Sequence, residues 1–346
     1  MTRPTPRPDG AIGDAASAVR HHSLTLPAPA IGAESAATAG AVEDVAPPRR
    51  RRGPTGWRDI TATQLFLVPI VAVFVVLFVV PLIKTFYWSL TDFTGYSLDP
   101  AFVGLKNYRI ILSDPSMLAG LTFTLLFTFG TTILITIIAI PLAVMLNQRF
   151  FGRNAVRSVV FFPAIPSMAI LGLVWTYILS PLESGVLNTA LGHVGIGPLP
   201  WLADNTLARI SVIMVAVWAG AGWHAILYLA YLQSIPVEYN EVAKIDGASP
   251  IRQFFHITLP LLTPAVVVSQ FLLITNGLKV YDLPFTLTGG GPGFATRTIT
   301  QSIITSGVAQ GRYGLASALA VMFTIAVGIF ALTQILISRT VERRIL

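Results

Sequence analysis

Six long apolar stretches punctuate the chain, at about 65–83, 118–147, 158–182, 210–234, 257–281 and 313–338. They carry no charged side chain except Lys279, where the fifth fades out. Each is long enough for a helix of about 20 residues, which crosses ~30 Å of hydrocarbon. The segments of about ten alternating residues that build closed β-barrels are missing. The pattern therefore predicts an all-α membrane protein with six transmembrane helices. Pro69, Pro141, Pro163 and Pro166 fall within or near spans, where neighbouring groups satisfy the carbonyls they free.

Composition agrees with the pattern. Only 11% of residues are charged, against roughly 25% in soluble domains, and mean hydropathy is +0.70. A cytosolic globular protein is excluded. The net charge of +7 sorts by side. One set of flanks holds Arg49 to Arg52, Arg58, Arg149, Arg153, Arg157, Lys244, Arg252, Arg339, Arg343 and Arg344, thirteen in all. The other holds Lys106, Arg109, Arg209, Arg297 and Arg312, which makes five. The positive-inside rule then places both termini in the cytoplasm. The basic character is a topology signal and requires no nucleic acid, although four adjacent arginines beside a membrane also suit anionic lipid. Residues 1–55 are rich in Ala and Pro, lack aromatic residues and are expected to form a disordered cytoplasmic tail. Residues 56–346 form the transmembrane domain. A basic run before an apolar one also describes a signal peptide, but five further spans favour a first membrane helix. With no cysteine, disulfides, thiolate metal sites and cysteine nucleophiles are excluded.

The loop at 236–260, between the fourth and fifth spans, has its own local logic. Pro236 suits the first turn of a helix, and Glu238 and Glu241 sit where the helix dipole favours negative charge. Val237, Val242 and Ile245 supply apolar contacts. Asp246-Gly247 ends the helix, because glycine accepts the left-handed conformation after the last turn. Ser249 and Pro250 cap and open a second helix. Its apolar side is Ile251, Phe254, Phe255 and Thr258, and Pro260 stops or kinks the chain before the fifth span. Two short amphipathic helices are thus expected to meet at a glycine corner, and amphipathicity alone also fits an elbow lying on lipid headgroups.

The same loop resembles the E-A-A motif of binding-protein-dependent ABC importer permeases. Glu241-Val242-Ala243 is followed at the motif's spacing by Gly247 and by Ile257-Thr258-Leu259-Pro260. Asp246-Gly247-Ala248 and Phe254 match its carbohydrate-type extension; Val242 in place of alanine is the one departure. A second stretch, Asp282 to Pro292 preceded by Tyr281, resembles the F-D-x-x-x-x-L-T-x-G-G-P segment of sugar-importer permeases, with tyrosine for the leading phenylalanine. It is taken as a tight outer turn or a contact to the delivery protein, since no Walker A pattern or preceding strand marks a phosphate cradle.

The resemblance covers about residues 60–346 and points to the maltose and glycerol-phosphate first-permease type. It implies a type I permease with a MetI-like core. The implied partners are a second permease subunit, two ATP-binding subunits, an extracytoplasmic solute-binding protein and membrane lipid. ATP and magnesium would be bound by partner subunits, so this chain would be a non-catalytic subunit without a cofactor of its own. Its solute would be a disaccharide, an oligosaccharide or a glycerol phosphate. By the same resemblance Glu241 is the ionic contact to the ATPase and Gly247 the corner. Ala243, Asp246, Ala248, Phe254, Ile257, Leu259 and Pro260 complete the coupling segment. Two other classes stay open: a self-contained secondary transporter or channel, which leaves the elbow unexplained, and a membrane enzyme acting on lipid or glycan, for which no interfacial polar cluster is visible.

For a substrate pathway the candidates are Asn276, Lys279 and Asp282, spaced by three at the outer half of the fifth span, because ionisable groups inside spans are costly. Lys279 and Asp282 would pair on one helix face or snorkel to the interface. Trp218, Trp223 and Tyr228 would stack on sugar rings, or belong to an interfacial aromatic belt. His193, His224 and His256 are too scattered for a metal site, and His224 is assigned to core or lumen.

Overall fold

The computed structural model describes residues 67–345, with side chains through residue 336. The tail 1–55 with its arginine run, Arg58 and the start of the first span therefore lie outside the described residues, as do the side chains of Arg339, Arg343 and Arg344. Among the described residues there is no strand, only an isolated antiparallel bridge between Thr91 and Phe102. Helix α1 spans Leu67–Ser89, α2 Lys106–Ser113 and α3 Pro115–Asn147. Helices α4 and α5 span Arg153–Ala164 and Met168–Ile178, and α6 Val186–Gly192. Helix α7 spans Asn205–Leu232, α8 Glu238–Ile245, α9 Pro250–Leu278 and α10 Asp282–Thr288. Helix α11 covers Ile299–Ile304 and α12 Tyr313–Ile345.

Five of the six expected spans are continuous helices: α1, α3, α7, α9 and α12. The third is not. Helices α4 and α5 meet at an angle of 92°. Pro163 and Pro166 remove two backbone donors there, the chain tightens into a 3-10 turn at Phe162–Ala164, and Ser167 restarts the helix by accepting from the Ile170 N–H at 3.4 Å. The span expected at 158–182 is therefore a broken one.

Prolines act differently in α1 and α9. A π-helical turn at Val75–Val79 ends two residues before Pro81, and another at Phe254–Thr258 ends two residues before Pro260. A proline ring clashes with the carbonyl four residues back, and widening the preceding turn relieves that clash without breaking the helix. The expected stop at Pro260 is thus absent. The second elbow helix is the first part of α9, continuous with the fifth span.

The core lies between α3, α7 and α9. Ile135, Leu146, Tyr228, Leu229 and Leu262 form one buried cluster. A second joins Phe123 and Phe127 of α3 to Val212 and Val215 of α7 and to Leu283 and Leu287 of α10. A third sets Ile111 of α2 against Ile299, Leu315 and Leu319. Small residues let the helices approach, as is usual in membranes. At Gly222 of α7, an added Cβ would collide with the Val160 carbonyl of α4. Helix α1 packs on α12 and buries none of its apolar window, which suits a lipid surround.

Candidate functional site

The elbow is built by a Schellman motif. The Ala248 N–H donates to the Ala243 carbonyl at 2.9 Å, and the Gly247 N–H to that of Lys244 at 3.1 Å. Both bonds need a left-handed residue after the helix, and Gly247 supplies it with φ +72°. The Ser249 side chain then accepts from the Arg252 N–H at 3.4 Å. The Gln253 Nε2 donates to the Ala248 carbonyl at 2.7 Å and braces the corner. Pro236 lies just ahead of the helix, whose first residue is Glu238.

Burial divides the residues of the elbow. Ala243 is buried within the chain. Phe254 and Leu259 pack against the α3–α7–α9 core, and Ala248, Ile257 and Pro260 are half-buried. The exposed apolar and aromatic side chains are Val237, Tyr239, Val242, Ile245, Ile251 and Phe255. Glu241 and Asp246 are exposed beside them. The elbow therefore presents a mixed surface of apolar groups and carboxylates outward, Glu238 among the latter, while its inner residues anchor it to the bundle.

At the other end of α9 lies a cavity of about 340 Å³. Asn276, Lys279 and Asp282 all line it, together with Thr131 of α3, Met168 of α5 and His224 of α7. Lys279 and Asp282 form no ion pair among the described residues. Helix α9 ends at Leu278, and Lys279 and Tyr281 have non-helical backbones. The two charges therefore sit on either side of a helix break, not on one face as expected. The ring of Tyr281 stacks on Phe285 at 5.0 Å. Helix α10 is held against α5, where the Thr176 Oγ1 donates toward the Thr286 and Leu287 carbonyls, both at 3.4 Å.

His224 enters the cavity wall in a fixed orientation. Its Nδ1 is 2.7 Å from the Ser269 Oγ, and the Tyr228 hydroxyl donates to that same oxygen at 2.7 Å. Buried polar groups are almost always satisfied. Ser269 accepts from Tyr228, and its own proton has no acceptor other than Nδ1 among the described residues, so the arrangement that satisfies every group has Ser269 donating to Nδ1. A neutral imidazole then carries its hydrogen on Nε2.

The aromatic candidates separate. Tyr228 is fully buried and acts through Ser269. Trp223 is 41% exposed and packs edge-on to the His224 ring at 4.7 Å. Trp218 packs edge-on to Trp175 at 5.3 Å and faces a different, apolar groove. Thr131 is not among the sequence-derived candidates for the pathway, and His224, assigned there to core or lumen, lines the cavity. The signal was present, since both are polar groups inside otherwise apolar spans. The stretch Asp282–Pro292 forms α10 and then a glycine turn with a cis Gly291–Pro292 peptide. The Gln301 Nε2 and the Thr296 Oγ1 donate to the Gly289 and Gly291 carbonyls of that turn, both at 2.8 Å. Among the described residues no group of His, Asp or Glu is arranged to hold a metal.

The fold is that of a helical, multi-pass membrane protein with a cavity bearing polar groups among its spans and an exposed elbow at one end. The chain belongs to the family of binding-protein-dependent transport system inner membrane components, which matches residues 135–346. Its non-catalytic character follows from that family. The probable ABC transporter permease protein YurN of Bacillus subtilis (strain 168) is 33% identical over 280 residues, covering 80% of this chain and 95% of the relative. The trehalose/maltose transport system permease protein MalF of Thermococcus litoralis is 32% identical, covering 82% and 95%. Among solved structures, a chain of a bacterial ABC transporter for import of the acidic polysaccharide alginate superposes with a TM-score of 0.72 at 24% identity. That likeness covers 82% of this chain and 98% of that one, and it bears on the fold.

Proposed function

We propose that the chain is the permease subunit of an ATP-driven ABC importer for a sugar or sugar-like solute. A disaccharide, an oligosaccharide or a glycerol phosphate fits the motif type, and the names of the relatives point to saccharides. A second permease subunit completes the pathway, and an extracytoplasmic binding protein delivers the solute. Two ATP-binding subunits dock on the 236–260 elbow and supply the hydrolysis. The elbow and both termini then face the cytoplasm.

One observation carries this reading. Helix α9 runs unbroken from the elbow at Pro250 to the cavity at Asn276, ~39 Å at 1.5 Å per residue. A rigid-body movement of a partner held at the elbow is therefore delivered to the cavity wall as a tilt of α9. In the cavity, Asn276, Lys279 and Asp282 offer donors and acceptors to solute hydroxyls, and the His224 Nε2 adds one fixed donor. Glu241 and Asp246 attract basic groups on the ATPase while Val242, Ile245, Ile251 and Phe255 fill its cleft.

The test is uptake by the reconstituted transporter, with its solute first found by thermal-shift screening of the partner binding protein against sugars. Glu241→Lys is expected to insert normally, to keep affinity for the loaded binding protein and to abolish solute-stimulated ATP hydrolysis. Normal coupled uptake by this variant would refute the role of the elbow.

A further inference from the structure

Next to the cavity, on another face of the α3–α7 pair, runs an apolar groove of about 750 Å³. Leu134, Ile138 and Leu142 of α3 line it, with Val159 of α4 and Met214 and Trp218 of α7. The row from Gly130 to Leu142 recurs every four residues on one helix face and is ~18 Å long. One leaflet contributes ~15 Å of hydrocarbon, so the groove is the length of one leaflet. Its inner end, Leu142, lies five residues before the end of α3.

Immediately beyond is the α3–α4 turn, which has a different character. Arg149, Arg153 and Asn154 line a second concavity of about 490 Å³. Phe151 between the two arginines is fully exposed, at 104%. Neither Arg149 nor Arg153 has an ion-pair partner among the described residues. The turn itself is fixed, because the Arg157 Nη2 donates to the Leu146 carbonyl at 3.0 Å. It lies at the elbow end of the bundle, where Met145 of α3 and Gln148 just after it line one concavity with Ile251 and Phe255.

We propose that the turn and the groove together hold one glycerophospholipid with an anionic headgroup, taken from the leaflet on the elbow side. Its phosphate and headgroup lie between Arg149 and Arg153, with the Asn154 amide donating. One acyl chain lies along Leu142, Ile138 and Leu134, and Phe151 inserts at the glycerol level as aromatic residues do at membrane interfaces. The observations favour this occupant because the two arginines follow the last groove residue of α3, Leu142, by seven and eleven positions. A soluble anion would use the arginines and leave the groove empty. A helix of another subunit would fill the groove and leave the arginines without a partner. A zwitterionic lipid fits the groove but gives the two cations no net charge to neutralise.

The chain, purified in mild detergent with its co-purifying subunits, is examined by native mass spectrometry with phosphatidylglycerol and phosphatidylcholine in competition. Wild type is expected to retain phosphatidylglycerol selectively. Arg149→Gln with Arg153→Gln is expected to weaken that retention about 30-fold, the combined effect of two basic side chains near an anionic surface. Lys at both positions keeps the charge and keeps the lipid. Ile138→Trp fills the groove and releases it with both arginines intact. Excess inorganic phosphate is expected to displace nothing. Displacement by phosphate would overturn the proposal in favour of a soluble-anion site. Undiminished retention by the double Gln variant would overturn it as well. The natural chain has no cysteine, so Ile138→Cys reports directly on its surroundings. Efficient cross-linking of that cysteine to another subunit would show the groove to be a protein interface and likewise overturn it.

Discussion

Replacing Gly247 by alanine isolates one property of the elbow, its left-handed corner. At φ +72° an L residue with a Cβ carries a penalty of roughly 1–2 kcal/mol. No atom lies within 4 Å of the added methyl, so sterics with neighbours add nothing and the backbone term stands alone. The two Schellman bonds to the Ala243 and Lys244 carbonyls depend on that conformation. A penalty of this size changes the population of the intact corner by a factor of about 5–30. Solute-stimulated ATP hydrolysis in proteoliposomes should fall by up to that factor, while insertion and thermal stability of the bundle hold. Asparagine visits the left-handed region more readily, so Gly247→Asn should retain more activity than Gly247→Ala. Proline, locked near φ −65°, should retain least. Equal activity for all three variants would refute the argument that the corner's geometry matters.

Other consequences follow from packing and hydrogen bonding in the bundle. Gly222→Ala drives a methyl into the Val160 carbonyl, and overpacking of this kind costs about 1–3 kcal/mol; the midpoint of thermal unfolding in detergent should drop. Ser269→Ala leaves the His224 Nδ1 without its partner, a loss of about 1–3 kcal/mol for a buried group. It should also weaken solute uptake, whereas Tyr228→Phe, one bond further from the cavity, should affect uptake less. Asn276→Leu removes a polar group from the cavity wall and should raise the KM for uptake while subunit assembly stays at the wild-type yield.

The parts of this protein that were legible in its sequence are those fixed by short-range physics. Bilayer thickness dictates span length, so five of the six spans appear as continuous helices close to the expected limits. The elbow was legible because Gly247, Ser249 and Pro250 each meet a local backbone demand. Proline was the ambiguous signal. Pro163 and Pro166 accompany a 92° break, whereas Pro81 and Pro260 are absorbed by π turns, and which outcome follows depends on what packs around the freed carbonyls. The cavity was only partly legible. Uniformly apolar helices carry almost no periodicity to mark which face turns inward. Trp218 and His224, six residues apart on α7, therefore line different spaces, and the break after Leu278 places Lys279 and Asp282 around a cavity instead of along a helix.

The claim on which the rest depends is that the elbow is the seat of the ATP-binding subunit. Ile245 is 85% exposed at its corner, and Leu98, 98% exposed in the loop between α1 and α2, serves as a control outside the elbow. With no native cysteine, Ile245→Cys and Leu98→Cys each give a single reactive site. In the assembled transporter, a short bifunctional maleimide should link Cys at 245 to the ATP-binding subunit and leave Cys at 98 unlinked to it. A complex in which position 245 reacts freely with soluble maleimide and links to no ATP-binding subunit would contradict the claim.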